Sequence, residues 1–109
     1  MIEINPEKAI RYIQEHAEQY AKAKGDVAYT DNYLKVVKAQ QANKSASTTI
    51  GGKDTDAYAS PEYLQAILAN KQAIEEEALL KWMLTAAQAR IEVWKTQEYS
   101  KRSEMRNLG

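Results

Sequence analysis

Cysteine is absent from this chain of 109 residues, which excludes disulfide bonds and thiolate metal sites and is typical of a reducing compartment. Phenylalanine is absent as well, and the aromatic residues are seven tyrosines and two tryptophans. Because Tyr and Trp carry a polar tip, this set suits half-buried surfaces better than a dry core. The sequence therefore predicts an apolar core built mainly from Ile, Leu, Val and Ala.

Long hydrophobic runs and an excess of one charge are also missing. No apolar run approaches ~18 residues, so we predict no membrane-spanning helix. Glu3, Glu7, Glu15 and Glu18 make the first 25 residues a poor signal peptide. The 15 basic residues balance the 15 acidic ones, which gives no reason to expect nucleic acid or an anionic membrane as a partner. We expect a cytoplasmic protein that does not contact membranes.

The last third of the chain is uninterrupted. From Ser60-Pro61-Glu62 to Asn107 there is no glycine and no further proline, and Ala, Leu, Glu, Lys, Gln and Arg dominate. A helix of ~45 residues would be about 65–70 Å long, whereas a compact domain of this size is about 30 Å across. Such a helix must either break or extend to a partner.

Two further helices are predicted upstream, at about 6–24 and 27–43, and the long helix at about 61–104. Asn5-Pro6-Glu7 is a typical helix start, and Gly25 offers a stop between two apolar stripes that are out of phase. Residues 43–60 hold a Ser/Thr run and two adjacent glycines, which predicts a mobile loop with room for one helical turn. We find no strand pattern and no coiled-coil heptad over three repeats. We predict a single all-α domain, 1–109, with two shorter helices packed on one long C-terminal helix.

The middle of the long helix is apolar on two opposite sides. One side carries Trp82, Ala86, Ala89 and Val93. A helix that is apolar on both sides is buried on both sides, so one side takes the first two helices and the other takes another subunit. We predict a homodimer or higher oligomer whose interface consists of Leu80, Leu84, Ala87, Ile91 and Trp94.

No arrangement of chemically specific residues points to catalysis. His16, the single histidine, cannot face the same way as Glu15, which favours a surface histidine. Glu75-Glu76-Glu77 point in different directions on a helix and cannot converge on one ion. Gly51-Gly52-Lys53 lacks the glycine spacing and the preceding strand of a phosphate-binding loop. We predict no catalytic residue, no cofactor and no metal, in a protein that is not an enzyme.

The C-terminal end of the long helix mixes basic and aromatic side chains. Aromatic stacking beside cations holds single-stranded nucleic acid without reading its sequence. Glu92, Glu98 and Glu104 are interleaved, so a solvated basic end and a protein contact are alternatives. The candidate nucleic-acid contacts are Arg90, Lys95, Lys101, Arg102 and Arg106.

Residues 31–39 (DNYLKVVKA), 60–63 (SPEY) and 86–95 (AAQARIEVWK) carry a family resemblance. They resemble small helical proteins that tailed bacteriophages and prophages encode in early gene clusters for recombination and replication. The resemblance implies a phage origin, the cytoplasm of a bacterial host and a role near DNA transactions, and it implies no catalytic residue. We expect a non-catalytic helical interaction protein that assists DNA recombination or replication proteins. The alternatives are a direct binder of single-stranded nucleic acid and a structural or assembly component of a phage particle.

Overall fold

Three helices account for nearly all of residues 3–108, the part of the chain that a computed structural model describes. They are α1 (Pro6–Lys44), α2 (Ile50–Tyr58) and α3 (Pro61–Leu108). This part of the chain contains no strand, and the shorter helices pack on the long C-terminal one, so the predicted fold class is confirmed. None of these helices has the length and apolar character needed to cross a membrane.

Helix α1 continues without interruption through Gly25, where the sequence predicts a break. Gly25 has no positive φ, and a methyl group added there would meet nothing within 4 Å. A glycine at such a position costs only about 1 kcal/mol relative to alanine. Apolar residues recur every seven positions on both sides of Gly25, at Tyr20, Val27 and Leu34. A repeat of seven corresponds to about 3.5 residues per turn, and with this period the apolar face of α1 is continuous. The two helices predicted upstream are one helix.

A second difference lies in the segment predicted as a mobile loop, where Ile50–Tyr58 form α2. The side chain of Thr49 caps this helix by accepting a hydrogen bond from the backbone N–H of Gly52 at 3.0 Å. Ala57 is fully buried, so packing holds α2 in addition to its cap. A threonine and one alanine are weak signals within a segment dominated by Ser, Thr and Gly, which is why the sequence pattern misses this helix.

Helix α3 begins at Pro61, as predicted, and extends to Leu108, past the predicted end near 104. Oγ of Ser60 accepts a hydrogen bond from the backbone N–H of Tyr63 at 3.2 Å. This bond satisfies one of the N–H groups that the first turn of a helix leaves without a partner. Ser60 therefore caps the helix that begins at Pro61, as the sequence Ser-Pro-Glu predicts.

The chain divides into two compact units. Within the described chain, unit 1 comprises residues 3–20 and 79–108, and unit 2 comprises Ala21–Ala78. Each unit thus takes one part of α1 and one part of α3, and unit 2 also contains all of α2.

In unit 1 the contact between α1 and α3 is built on alanine. Ala9 on α1 and Ala87 on α3 are each only 6% exposed. Small side chains at a helix contact permit a short distance between the helix axes. Larger residues near these alanines are half-buried: Ile13, His16, Tyr20, Leu80, Leu84, Ile91 and Trp94.

Unit 2 contains a polar contact between α1 and α3. The side-chain amide of Asn70 donates to Oγ1 of Thr30 at 2.8 Å and to Oδ1 of Asp31 at 2.9 Å. Both amide protons are therefore used, which ties the two helices in one register. The buried residues of this unit are Ala23, Val37, Ala57, Ala66 and Ala73.

The most buried positions of each long helix are separated by multiples of seven residues. On α1 they are Ala9, Ala23 and Val37, and on α3 they are Ala66, Ala73 and Ala87. This is the spacing of a coiled coil, although the sequence has no sustained apolar heptad. Polar residues such as His16 and Asn70 occupy intervening positions of the contact and hide the repeat.

Candidate interaction surfaces

An open groove of about 830 Å³ lies in unit 1, between the start of α1 and the middle of α3. Its apolar wall includes Ile4, Met83 and Val93, of which Met83 is 47% and Val93 48% exposed. The buried Ala9 and Ala87 also line it. The remaining lining residues are Glu3, Asn5, Lys8, Tyr12, Ala86, Arg90 and Gln97.

Charged side chains surround this apolar wall. Lys8, Arg90 and Glu3 line the groove and are exposed. Within residues 3–108 none of the three forms an ion pair, since the ion pairs there involve other lysines and acids. The groove therefore offers an apolar surface together with two cations and one anion that can meet opposite charges on a partner.

The predicted interface residues of α3 are already covered in part by their own chain. Ala87 is buried, and the other members of the set are half-buried. Those members are Leu80, Leu84, Ile91 and Trp94. The opposite side is more open, with Leu79 66% and Trp82 67% exposed. We call this side the exposed α3 row; it consists of Leu79, Trp82, Met83, Ala86, Ala89 and Val93.

Unit 2 carries a second exposed apolar surface, on α1. Tyr29, Tyr33 and Val36 are 68%, 42% and 48% exposed, and intervals of four and three residues place them on one side of the helix. The rings of Tyr29 and Tyr33 stack with their centroids 6.0 Å apart. Asp26 is exposed one turn before Tyr29 on the same side. We call Asp26, Tyr29, Tyr33 and Val36 the α1 stripe.

Lys38 joins α1 to α2 within unit 2. Its Nζ lies 4.7 Å from the ring centroid of Tyr58 and 3.9 Å from Oδ1 of Asp54. Tyr58 in turn meets Tyr63 edge-on, with ring centroids 5.2 Å apart. Hydrogen bonding with the Tyr58 hydroxyl, more than the attraction of Asp54, raises the pKa of Lys38 above its ordinary value of 10.5. The cluster links α1 to α2 and to the start of α3.

The candidate nucleic-acid residues lie in different settings. Lys95 and Lys101 each pair with the glutamate three residues before it, with N–O distances of 3.2 Å and 3.5 Å. Arg90 lines the groove. Arg102 and Arg106 are exposed on the last turns of α3. Arg90, Arg102 and Arg106 have no carboxylate partner among the described residues, and of these Arg102 and Arg106 lie outside the groove.

Of the other residues considered as candidate sites, His16 and Glu75 make contacts within their own helices. His16 is half-buried rather than fully on the surface. Its ring stacks on Tyr12 at 4.0 Å, and its Nδ1 donates to the Tyr12 carbonyl oxygen at 2.8 Å. Glu75 pairs with Lys71 at 3.4 Å. Residues 3–108 contain no group of three or more acids and histidines that could hold a metal ion.

Comparisons of the chain with protein-family models, with curated proteins and with solved structures found no match. The groove, the exposed α3 row and the α1 stripe are the features of the described chain on which a functional proposal can be built.

Proposed function

We propose that this chain is a non-catalytic helical interaction protein that works as an oligomer. The observation that carries the proposal is the large apolar side chains left exposed on one side of α3, where Leu79 is 66% and Trp82 67% exposed. Single exposed apolar residues are ordinary on a protein surface, but a contiguous row beside a groove marks an interaction site. The partner that fits such a row is another amphipathic helix.

The oligomer is a homodimer or higher assembly that forms through α3. Its interface is the exposed α3 row, because the residues first predicted for this role are partly covered by their own chain. The apolar area that a second copy would cover is the kind of surface that stabilises association. This assignment keeps the predicted helix and changes the side of it that meets the partner.

We further propose that the protein is of phage origin, resides in the cytoplasm of a bacterial host and assists DNA recombination or replication proteins. The support is the resemblance of residues 31–39, 60–63 and 86–95 to small helical phage proteins. An accessory protein of this kind needs surfaces for partners and no catalytic residue. Titrating the labelled chain with the purified products of neighbouring genes tests this role, and an absence of binding to all of them would contradict it.

The oligomer is tested by sedimentation equilibrium of the full chain and two variants. Val93→Glu places a charge in the exposed α3 row, and Gln88→Glu places the same charge on the opposite side of α3 as a control. We expect the wild type and Gln88→Glu to associate and Val93→Glu to sediment as a monomer, since burying an unpaired charge is costly. A wild type that remains monomeric at ~100 μM, where even weak contacts of this kind are populated, would refute the proposal.

A direct contact with single-stranded nucleic acid is a second candidate, favoured by the end of α3. Tyr99 is 70% exposed there, near the unpaired Arg102. Fluorescence anisotropy of a labelled strand should then show binding that weakens steeply with salt and is reduced in Arg102→Ala. No binding at ~50 mM salt, where phosphate contacts are strong, would exclude this function.

The third candidate, a structural or assembly component of a phage particle, predicts a different kind of oligomer. Its mass would continue to grow with concentration instead of settling at a small defined number of copies. The same sedimentation experiment distinguishes the two.

A further inference from the structure

We infer that the groove of one copy binds the α1 stripe of a second copy. The inference rests on the proposed oligomer and names the pair of surfaces that form it. Both surfaces are exposed within the single chain, and every copy carries one of each. The contact can therefore repeat between copies, and no other protein is needed to complete it.

The two surfaces are of similar length when the stripe runs antiparallel to α3. The α1 stripe has intervals of three, four and three residues, and the facing positions of α3, read backwards from Arg90 to Leu79, have intervals of four, three and four. The two series differ by one residue, a rise of about 1.5 Å, so the four side chains of the stripe can face four side chains of α3. The pairs are Asp26 with Arg90, Tyr29 with Ala86, Tyr33 with Met83, and Val36 with Leu79.

This register brings together side chains of complementary size. The large ring of Tyr29 is set against the small Ala86, which leaves room for it beside the helix. Tyr33 is set against Met83, whose flexible thioether packs well on aromatic rings. Tyr33 and Met83 are 42% and 47% exposed in the single chain, so both have apolar area to cover.

Charge complementarity favours a second copy of this chain over a partner whose surface is uniformly acidic or uniformly basic. Asp26 is set against Arg90, with Lys8 as a second cation in the same groove. Lys22 lies one turn before Asp26 on the same side of α1. In this register it approaches Glu3, the acidic residue of the groove. An acidic or a basic partner would satisfy only one of these charge types, whereas the stripe side of α1 presents both.

The test is an exchange of charge between copies, followed by sedimentation and native mass spectrometry of the full chain. Arg90→Glu and Asp26→Arg should each place like charges at the contact and weaken self-association by about tenfold or more. An equal mixture of the two variants should restore it, because each groove then finds a stripe of opposite charge. The restored assemblies should contain both variants.

Matched controls reverse charges on the other sides of the same helices. Lys81 and Lys35 are each nine residues from the tested position, about two and a half turns, so they lie on the opposite side. Lys81→Glu and Lys35→Glu should therefore associate like the wild type. Circular dichroism of each variant confirms that the exposed substitutions leave the helices intact.

The outcomes separate this inference from the proposed oligomer. Should the wild type associate and Val93→Glu dissociate while Arg90→Glu and Asp26→Arg behave like the wild type, the oligomer stands and the inference is wrong. A mixture of the two charge variants that stays dissociated also overturns the inference. A wild type that is monomeric overturns both proposals.

Disulfide trapping provides a second measurement that does not depend on charge. Because the chain has no cysteine, any disulfide formed by introduced residues reports the chosen positions alone. Mixing Tyr33→Cys with Met83→Cys should give a disulfide between the two variants under mild oxidation, whereas Lys35→Cys with Lys81→Cys should not. The absence of a selective disulfide between the Tyr33→Cys and Met83→Cys variants in an associated sample would contradict the register.

Discussion

The substitutions Gly51→Ala and Gly52→Ala should change the free energy of unfolding in opposite directions. Both glycines lie in the first turn of α2, and neither has a positive φ. A Cβ at Gly51 would meet nothing within 4 Å. A Cβ at Gly52 would collide with Oγ of Ser47, and it would lie 2.9 Å from Ser47 Cβ and from Thr49 Oγ1. Glycine at 52 is therefore needed for the close approach of the preceding segment to α2.

The size of each effect follows from these contacts. Gly51→Ala should stabilise the protein by about 0.4–1 kcal/mol, because alanine restricts the unfolded chain without straining the folded one. Gly52→Ala has the same effect on the unfolded chain, but overpacking costs about 1–3 kcal/mol. It also displaces the Thr49 cap, which contributes about 1 kcal/mol. We expect the two variants to differ by about 2–4 kcal/mol in the free energy of unfolding, because the effect on the unfolded chain is common to both.

Urea unfolding followed by circular dichroism at matched protein concentration measures this difference. Combining Ser47→Gly with Gly52→Ala removes the colliding atoms of Ser47 but not those of Thr49, so it should recover part of the lost stability. The reasoning would be refuted by a Gly52→Ala protein that unfolds at the same urea concentration as Gly51→Ala, or at a higher one.

Three further predictions follow from single residues. Gly25→Ala should raise the free energy of unfolding by about 1 kcal/mol, because the position is helical and open; a lower urea midpoint would contradict this. Asn70→Ala should lower it by about 1–2 kcal/mol, since Thr30 loses the donor that joins it to α3; unchanged unfolding would show that the polar contact is unimportant. The pKa of Lys38 is raised above its ordinary value of 10.5 in the folded chain. Protonated Lys38 therefore stabilises the fold at pH values below 10.5, and this contribution is lost as the pH rises through the raised pKa. Lys38→Met should therefore reduce the alkaline loss of stability, which unfolding curves between neutral and alkaline pH would measure.

The starts of α1 and α3 could be predicted because a cap is local chemistry. Oδ1 of Asn5 accepts a hydrogen bond from the backbone N–H of Lys8 at 3.2 Å, and Ser60 does the same for the first turn of α3. The interior of a helix is different, because tertiary contacts decide whether a glycine ends it. Gly25 lies where the apolar face continues on both sides, so the small cost of glycine does not end α1.

The groove could not be predicted because no local pattern encodes it. Lys8 and Arg90 line it together although they lie on different helices and far apart in the sequence. The α1 stripe has a visible signal, the four-and-three spacing of Tyr29, Tyr33 and Val36. The same spacing is also expected of residues at the edge of a buried helix face. Only the observed buried positions of α1 show that these three side chains are exposed.

The two apolar sides of α3 show why hydrophobicity alone does not assign an interface. Both sides are apolar, so the sequence identifies a helix with two contacts without saying which contact is internal. The side that carries the buried Ala87 also carries Leu80, Leu84, Ile91 and Trp94, which are half-buried in the single chain. The other side carries Leu79 and Trp82, which are 66% and 67% exposed. Both sides contain large and small apolar residues, so burial within the folded chain, and not hydrophobicity, separates the internal contact from the row that a second copy can cover.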